Sequence, residues 1–504
     1  MTLQSRLLLK SFFQNCLENR VFPKIWKKGN VVPIHKKSSK QLIKNYRPIS
    51  LLPVFGKMFE KVIYSSIYEY LETNGLLSSK QSGFRPGDST INQLLAITHE
   101  IFTAFDCNPP LDVRSVYLDI SKAFDRVWHD GLIFKIQRCG IRGNLLKLLT
   151  SFLSERQQRT VINGKCSRWE DVSAGVPQGS ILGPLLFLVY INDLPDGLKS
   201  NVRIFADDTS LFSVVLDPHS SSDALNFDLS LIKSWAHQWK MSFNPDPSKQ
   251  AVQLTFCRKR VPLNHPQIYF NDIQVSSVDE HKHLGLILDK KLTFSSHIKD
   301  LLSKANKGVG MIKLLSRYLP RPSLDQIYKL HVRSHFDYCD VIYHVPPVDS
   351  PYSHECTQSF LMNRLESMQY NAALAVTGAW KGTSRQKLYQ ELGWESLSNR
   401  RWYRRLVLFF KIINGFAPAY LSSLLSEMRE QNYEYRSTNS TAVPKRRTET
   451  FKQCFSHCIS EWNNLSLELR ELRSFSLFKT RLFSLVRPVK GKIFGIHALL
   501  VYED

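Results

Sequence analysis

The chain has 504 residues, 43% of them hydrophobic and 22% charged, which suits about three cored globular domains and excludes a disordered or fibrous chain. Its net charge of +23 points to a polyanionic partner, nucleic acid before anionic membrane, although a generic basic surface would give the same total. Nine cysteines lie scattered without a CxxC pair, so the expectation is reduced thiols and no structural zinc; Cys454, His457 and Cys458 are the nearest thing to a cluster.

Residues 1–20, with Leu and Phe at helical spacing, predict an amphipathic helix. They lack the apolar core and small-residue cleavage site of a secretory signal. Residues 21–55 are basic and punctuated by Pro23, Pro33, Pro48 and Pro53, with a short strand over 30–34; residues 1–60 hold twelve Lys/Arg against Glu18 and Glu60. A helix over 56–73 stops at Asn74-Gly75, and another over 89–105 follows the turn-rich QSGFRPGD. The β-branched and aromatic run 115–120 predicts a strand, and helices follow at 129–138 and 143–153. Residues 157–173 read as a hairpin turning at Asn163-Gly164. Residues 180–193 form an apolar helix whose run contains Gly183 and Pro184 and is too short to span a bilayer. A hairpin over 204–212, a helix near 222–241 and strands at 251–257 and 283–288 complete an α+β region. From 292 onward the pattern is helical, with a linker at 345–357 and a polar interruption at 431–450. The expected location is nucleus and/or cytoplasm, without secretion or membrane insertion. Lys445-Arg446-Arg447 fits part of an import signal or, more simply, a solvated loop.

Residues 204–212, IFADDTSLF, set Asp207 and Asp208 side by side in an apolar, β-prone run. The pair fits a plain hairpin tip, a general acid/base dyad, or half of a metal site. Asp119 ends the strand VYLDI, and an acid at a strand end can meet an acidic hairpin tip on one sheet edge. Three carboxylates together cannot all stay ionised unpaired. Two Mg²⁺ ions about 3.5–4 Å apart would relieve this and create a phosphoryl-transfer centre.

Seven segments, NYRPISLL (45–52), QSGFRPGDST (81–90), YLDISKAFDRVWH (117–129), AGVPQGSILGPLLFLVYINDL (174–194), IFADDTS (204–210), SFNPDPSK (242–249) and HLGLILD (283–289), resemble in order and spacing the reverse transcriptases of non-LTR, jockey-like retrotransposons. ESMQYNAALAVTGAW and ELGWESLSNRR resemble the region after the polymerase in such elements. The resemblance implies a right-hand polymerase: an N-terminal helical extension at 1–20, fingers and palm at 21–290, a helical thumb at 291–345, and a helical basic C-terminal module at 346–504. It implies an RNA-directed DNA polymerase that extends a DNA primer on template RNA with dNTPs, using two Mg²⁺ ions, with Mn²⁺ as substitute.

The same resemblance assigns residues. Asp119, Asp207 and Asp208 are the metal carboxylates, and Phe124 is the steric gate against a ribose 2′-OH. Gln178 and Gly179 lie beside the incoming nucleotide. Arg47 and Arg85, helped by Lys36 and Lys37, grip the triphosphate. Lys249 serves as general acid toward pyrophosphate, although N-P-D-P-S-K is longer than the spacing in many relatives. Leu284 and Gly285 belong to the primer grip. His281 and His283, alternating on one strand face, read as exposed strand residues rather than a metal pair. In the tail, Trp380, Trp394 and Trp402 interleave with Arg400, Arg401, Arg404 and Arg405. That pattern fits single-stranded RNA binding and a Trp-cored amphipathic helix equally well. The sequence begins just ahead of the fingers and shows no RNase H-like acids, so a truncated polyprotein fragment without its endonuclease is expected. The rivals are a decayed or domesticated non-catalytic nucleic-acid-binding relative and another RNA-templated polymerase such as a maturase or replicase.

Overall fold

The computed structural model describes residues 2–36, 39–259, 263–343, 357–426, 455 and 458–486. Lys37, Cys454, His457, Lys445-Arg446-Arg447, the stretch 431–450 and, apart from Thr357, the expected linker at 345–357 lie outside them.

The fold centres on a five-stranded sheet in the order Ser276–Ser277, Ala251–Phe256, Asp112–Leu118, Asp208–Val215, Asn201–Phe205. Asp112–Leu118 runs antiparallel to both neighbours and is buried along its whole length. Val113 and Tyr117, with Phe212, Leu254 and Phe256, join a core with the buried helix Thr90–Asp106 and the later helices. Val116, Leu118, Ile204 and Leu211 face the opposite way, toward helices Val54–Thr73, His129–Arg138, Gly143–Leu153, Leu182–Ile191 and Pro218–Gln238. The period-two alternation of a strand thus splits the apolar residues between two cores.

The basic N-terminal part forms a second sheet, Tyr46–Leu51 against Lys28–His35 and then Arg156–Ile162, which carries Lys165–Cys166 and Glu170–Val172. Tyr46–Leu51, in the proline-punctuated stretch where only 30–34 was expected as strand, also forms a strand; Pro48 is accommodated because this is the edge strand. The 157–173 hairpin forms, with Asn163 and Gly164 both at positive φ, the turn geometry that this dipeptide favours. Its strand also pairs in parallel with Lys28–Val31, a contact that no local pattern announces. The helix expected near 222 starts earlier, at Pro218, because Asp217 accepts a hydrogen bond from Ser220 N and proline suits the first turn. The strand expected at 283–288 is instead two strands, Glu280–His283 and Leu286–Asp289, folded over Leu284 and Gly285 at positive φ.

Helices Ser295–Leu315, Arg321–Tyr328 and Thr357–Thr377 and those that follow share one continuous hydrophobic core up to Leu482. Among the described residues, no helix is long and apolar enough to cross a membrane.

Candidate active site

Register places the acids. Leu118 pairs with Thr209 in the antiparallel ladder, so Asp119, one residue on, faces Asp208, one residue back. Phe205 pairs with Asp208, which leaves Ala206 and Asp207 as a two-residue turn. Ala206 sits at φ +58°, a left-handed conformation unfavourable for a residue with a Cβ. Gln81 holds it from both sides: its Oε1 accepts from Ala206 N at 2.9 Å and its Nε2 donates to Ala206 O at 3.2 Å. Ser82 N donates to Ile204 O, and Ile204 N to Lys80 O. A Cβ on Gly83 would lie 2.2 Å from Ala206 N, so glycine is required there. The QSGF segment is a clamp on the acidic hairpin, a role that sequence reading did not give it.

Burial pushes Asp208 up to about 6, with the charges of Asp207 and Asp119 adding to it and Arg47 opposing. Burial and Asp119 also raise Asp207, against its backbone hydrogen bond, Arg47 and Lys36. Asp208 is nonetheless solvent-exposed at its surface; the crowding protein mass beneath it, rather than full enclosure, makes its charge costly. The three carboxylates feel one another, yet among the described residues no three Asp, Glu, His or Cys side chains make a preformed cation cage. Asp119 takes a 2.6 Å bond from Asn244 Nδ2, and Asn244 N donates to Asp119 O. Mutually repelling anions without a counter-ion are expected to stand apart. The donor set, with Asp119 and Asp208 exposed and Asp207 half-buried, fits a hard, oxygen-seeking cation. Asn244 was not singled out in the sequence, although it opens the Asn-Pro turn of SFNPDPSK.

Phe124 stacks on Phe187 at 4.5 Å and meets Phe84 edge-on at 5.8 Å. Beside it, Gln178 Nε2 donates to Asp125 Oδ1 at 3.0 Å, and Val176 N donates to Phe124 O at 2.8 Å, tying the VPQG loop to the loop that carries Phe124. Gly179, at φ +132°, comes so close to the second sheet that a Cβ would lie 2.3 Å from Ser50 O. The backbone that packs closest on Gly179 is thus that of Ser50, and Ser50 N donates to Gln178 O at 2.7 Å. Beneath this joint lies Glu60, 2% exposed. Its Oε2 accepts from Ser180 Oγ at 2.6 Å, Ile181 N at 2.7 Å and Leu182 N at 3.1 Å, capping the Leu182–Ile191 helix from a distant segment. A carboxylate suits that helix end, where amide groups point outward.

Arg47 is exposed and, with Lys36, acts on Asp207 electrostatically. Arg85 donates to Glu72 Oε1 at 2.6 Å and Ser78 O at 3.0 Å. Lys249 is exposed and pairs with Asp246; its neighbour Gln250 accepts from Asp119 N. Leu284 O accepts from the Tyr338 hydroxyl, whose oxygen also lies 3.2 Å from the Thr90 hydroxyl. A Cβ on Gly285 would lie 3.0 Å from the Tyr338 ring, which would have to shift by a few tenths of an ångström.

One reading is corrected, and one open alternative is decided. His281 and His283 are not exposed strand residues: they pack on Tyr117 at 4.1 and 4.9 Å, and burial lowers them to about 4 and about 3. The tail arginines are not an exposed RNA stripe. Arg401 and Arg405 are buried, Arg400 and Arg404 pair with Asp337 and Asp340, and Trp394 stacks on Tyr328 at 3.7 Å. Of the three tryptophans, Trp380 alone is largely exposed, at 89%.

Acids at adjoining strand ends of an antiparallel sheet, with Arg47 of the edge strand acting on them, fit the palm of a template-directed polymerase. The family model for reverse transcriptase (RNA-dependent DNA polymerase) matches residues 34–288, about half of the chain, and the chain belongs to that family. It is 34% identical to the probable RNA-directed DNA polymerase from transposon X-element of Drosophila melanogaster, over 61% of this chain and 34% of that protein. It is 31% identical to the RNA-directed DNA polymerase from mobile element jockey of the same fly, over 65% and 36%. The non-LTR, jockey-like resemblance is thus borne out, and the chain spans about a third of the length of these relatives. Among solved structures, apo telomerase from Candida tropicalis aligns at TM-score 0.42 and 10% identity, covering 86% of this chain and 73% of that one, too distant to argue from.

Proposed function

We propose that this chain is the polymerase portion of a non-LTR retrotransposon protein and extends a DNA primer on template RNA by two-metal phosphoryl transfer. The observation that carries the reading is the ladder register, Leu118 against Thr209 and Phe205 against Asp208, which brings Asp119 beside Asp208 with Asp207 on the hairpin turn. Asp119, Asp207 and Asp208 would hold two Mg²⁺ ions, or Mn²⁺ in their place. Bound there, such cations supply Lewis-acid activation of the primer 3′-hydroxyl and neutralise charge on the triphosphate.

The chain's own groups do the rest. Arg47 and Lys36, already within electrostatic reach of Asp207, bind triphosphate oxygens. Phe124, backed by Phe187, leaves no space for a 2′-hydroxyl. Gln178, fixed by Asp125, orients the nucleotide or template, with Gly179 as the hinge of the joint beneath it. Leu284 and Gly285 present the primer end. Arg85 acts as scaffold through Glu72 and Ser78. Lys249 must leave Asp246 to protonate pyrophosphate.

The test is extension of oligo(dT) on poly(rA) with dTTP and Mg²⁺. Incorporation that disappears in Asp207→Ala supports the polymerase. Tight RNA binding without incorporation by wild type supports the non-catalytic rival, and preference for UTP over dTTP supports an RNA replicase.

A further inference from the structure

We infer that the helical C-terminal half positions the acidic hairpin of the palm, and that Tyr420 is the residue through which it does so. The inference rests on the polymerase reading above and gives the C-terminal module a task within it.

Tyr420 lies in helix Ala419–Ser426, which Leu421 and Leu424 bury against the rest of the fold. Its hydroxyl donates to Asp88 Oδ1 at 2.7 Å and accepts from Ser82 Oγ at 3.5 Å. Its ring lies 5.3 Å from the guanidinium of Arg203. Arg203 belongs to the strand leading into the acidic turn and is held in addition by Glu100 of helix Thr90–Asp106, at 2.8 Å. One phenol from the far end of the chain thus touches both the QSGFRPGD segment and the hairpin strand that this segment clamps.

The route onward is short. Ser82 N bonds Ile204 O, Gln81 grips both polar atoms of the Ala206 peptide, and Gly83 lies flat against Ala206 N. Ala206 holds its φ of +58° only because neighbours over-determine it. Loosening the segment at Ser82 and Asp88 frees Ala206 to relax, and Asp207, the next residue, moves with it. Tyr420 touches no reacting atom in this account, so it is a positioning residue.

The experiment compares the full-length wild-type chain with Tyr420→Phe, which removes the hydroxyl and keeps the ring. A hydrogen bond to a charged acceptor, felt in part at the turn, predicts a fall in kcat of about three- to tenfold. The Mg²⁺ concentration for half-maximal activity rises in parallel, while KM for dTTP and the melting temperature stay near wild type. Gly83→Ala, which pushes a Cβ into Ala206 N, gives the same pattern more severely. Unchanged kcat and Mg²⁺ requirement in Tyr420→Phe overturn the inference. So does a loss of activity that tracks a lower melting temperature alone. Hydrogen exchange at the Asp208 and Thr209 amides reads the brace without catalysis, and Tyr420→Phe accelerates it about tenfold if the brace exists. A wild-type chain that incorporates nothing refutes the polymerase reading; unchanged exchange at those amides refutes the brace.

Discussion

Replacing Asp208 by asparagine should destroy activity and stabilise the cation-free fold. Burial and the charges of Asp207 and Asp119 hold Asp208 up at about 6, against an ordinary 3.8. A raised carboxylate pKa means that the folded state keeps a proton that the unfolded state has released, so ionisation disfavours folding. The penalty is absent below about pH 4, grows between about 4 and about 6, and is complete above that. About two pH units correspond to about 3 kcal/mol at most. Asp208 is solvent-exposed at its surface, and screening reduces this to about 1 kcal/mol. In EDTA near pH 7.5, Asp208→Asn should therefore melt about 1 °C above wild type, and at about pH 4 the two should coincide. Differential scanning fluorimetry across that range measures both, and Mg²⁺ should narrow the gap at high pH by binding wild type alone. A variant that melts below wild type near pH 7.5, or a gain that persists at about pH 4, would refute the reasoning.

Glu60→Ala removes the acceptor of three hydrogen bonds at a buried helix start and should cost about 3–5 kcal/mol in chemical denaturation; Glu60→Gln, which keeps an acceptor, should cost less than half of that. Gly179→Ala drives a Cβ to 2.3 Å from Ser50 O and should lower kcat on poly(rA) at least about tenfold, since the VPQG joint must shift by about an ångström. Phe124→Ala should raise incorporation of UTP relative to dTTP by about tenfold or more; unchanged discrimination in a nucleotide-competition assay would remove the gate.

The reach of the sequence followed chain separation. Asp119 at a strand end, the Asp207-Asp208 hairpin and the Asn163-Gly164 turn are local patterns, and each was legible because alternation and turn chemistry act over a few residues. Glu60 beneath Ser180, Gln81 around Ala206, Asn244 on Asp119 and Ser50 against Gly179 are not local. Each contact depends on how two distant segments register, and the residue types alone carry no such signal. The tail shows the same limit differently. Arginines at helical spacing between apolar residues read alike on a solvated face and in a buried ion-pair layer. What decides is the position of Asp337 and Asp340, which lie in two short earlier helices. The two histidines of the 280–289 hairpin read as exposed because alternation does not reveal that Tyr117 covers them.

The central claim is that three acids from one strand end and one turn capture divalent cations, and Mn²⁺ binding measures this without catalysis. Electron paramagnetic resonance titration of the wild-type chain near pH 7.5 should show bound Mn²⁺ that Mg²⁺ displaces. That signal should be lost in Asp119→Asn/Asp208→Asn and should weaken as pH falls through about 6, where protons compete for Asp208. Equal Mn²⁺ binding by the wild-type chain and the double variant would contradict the account.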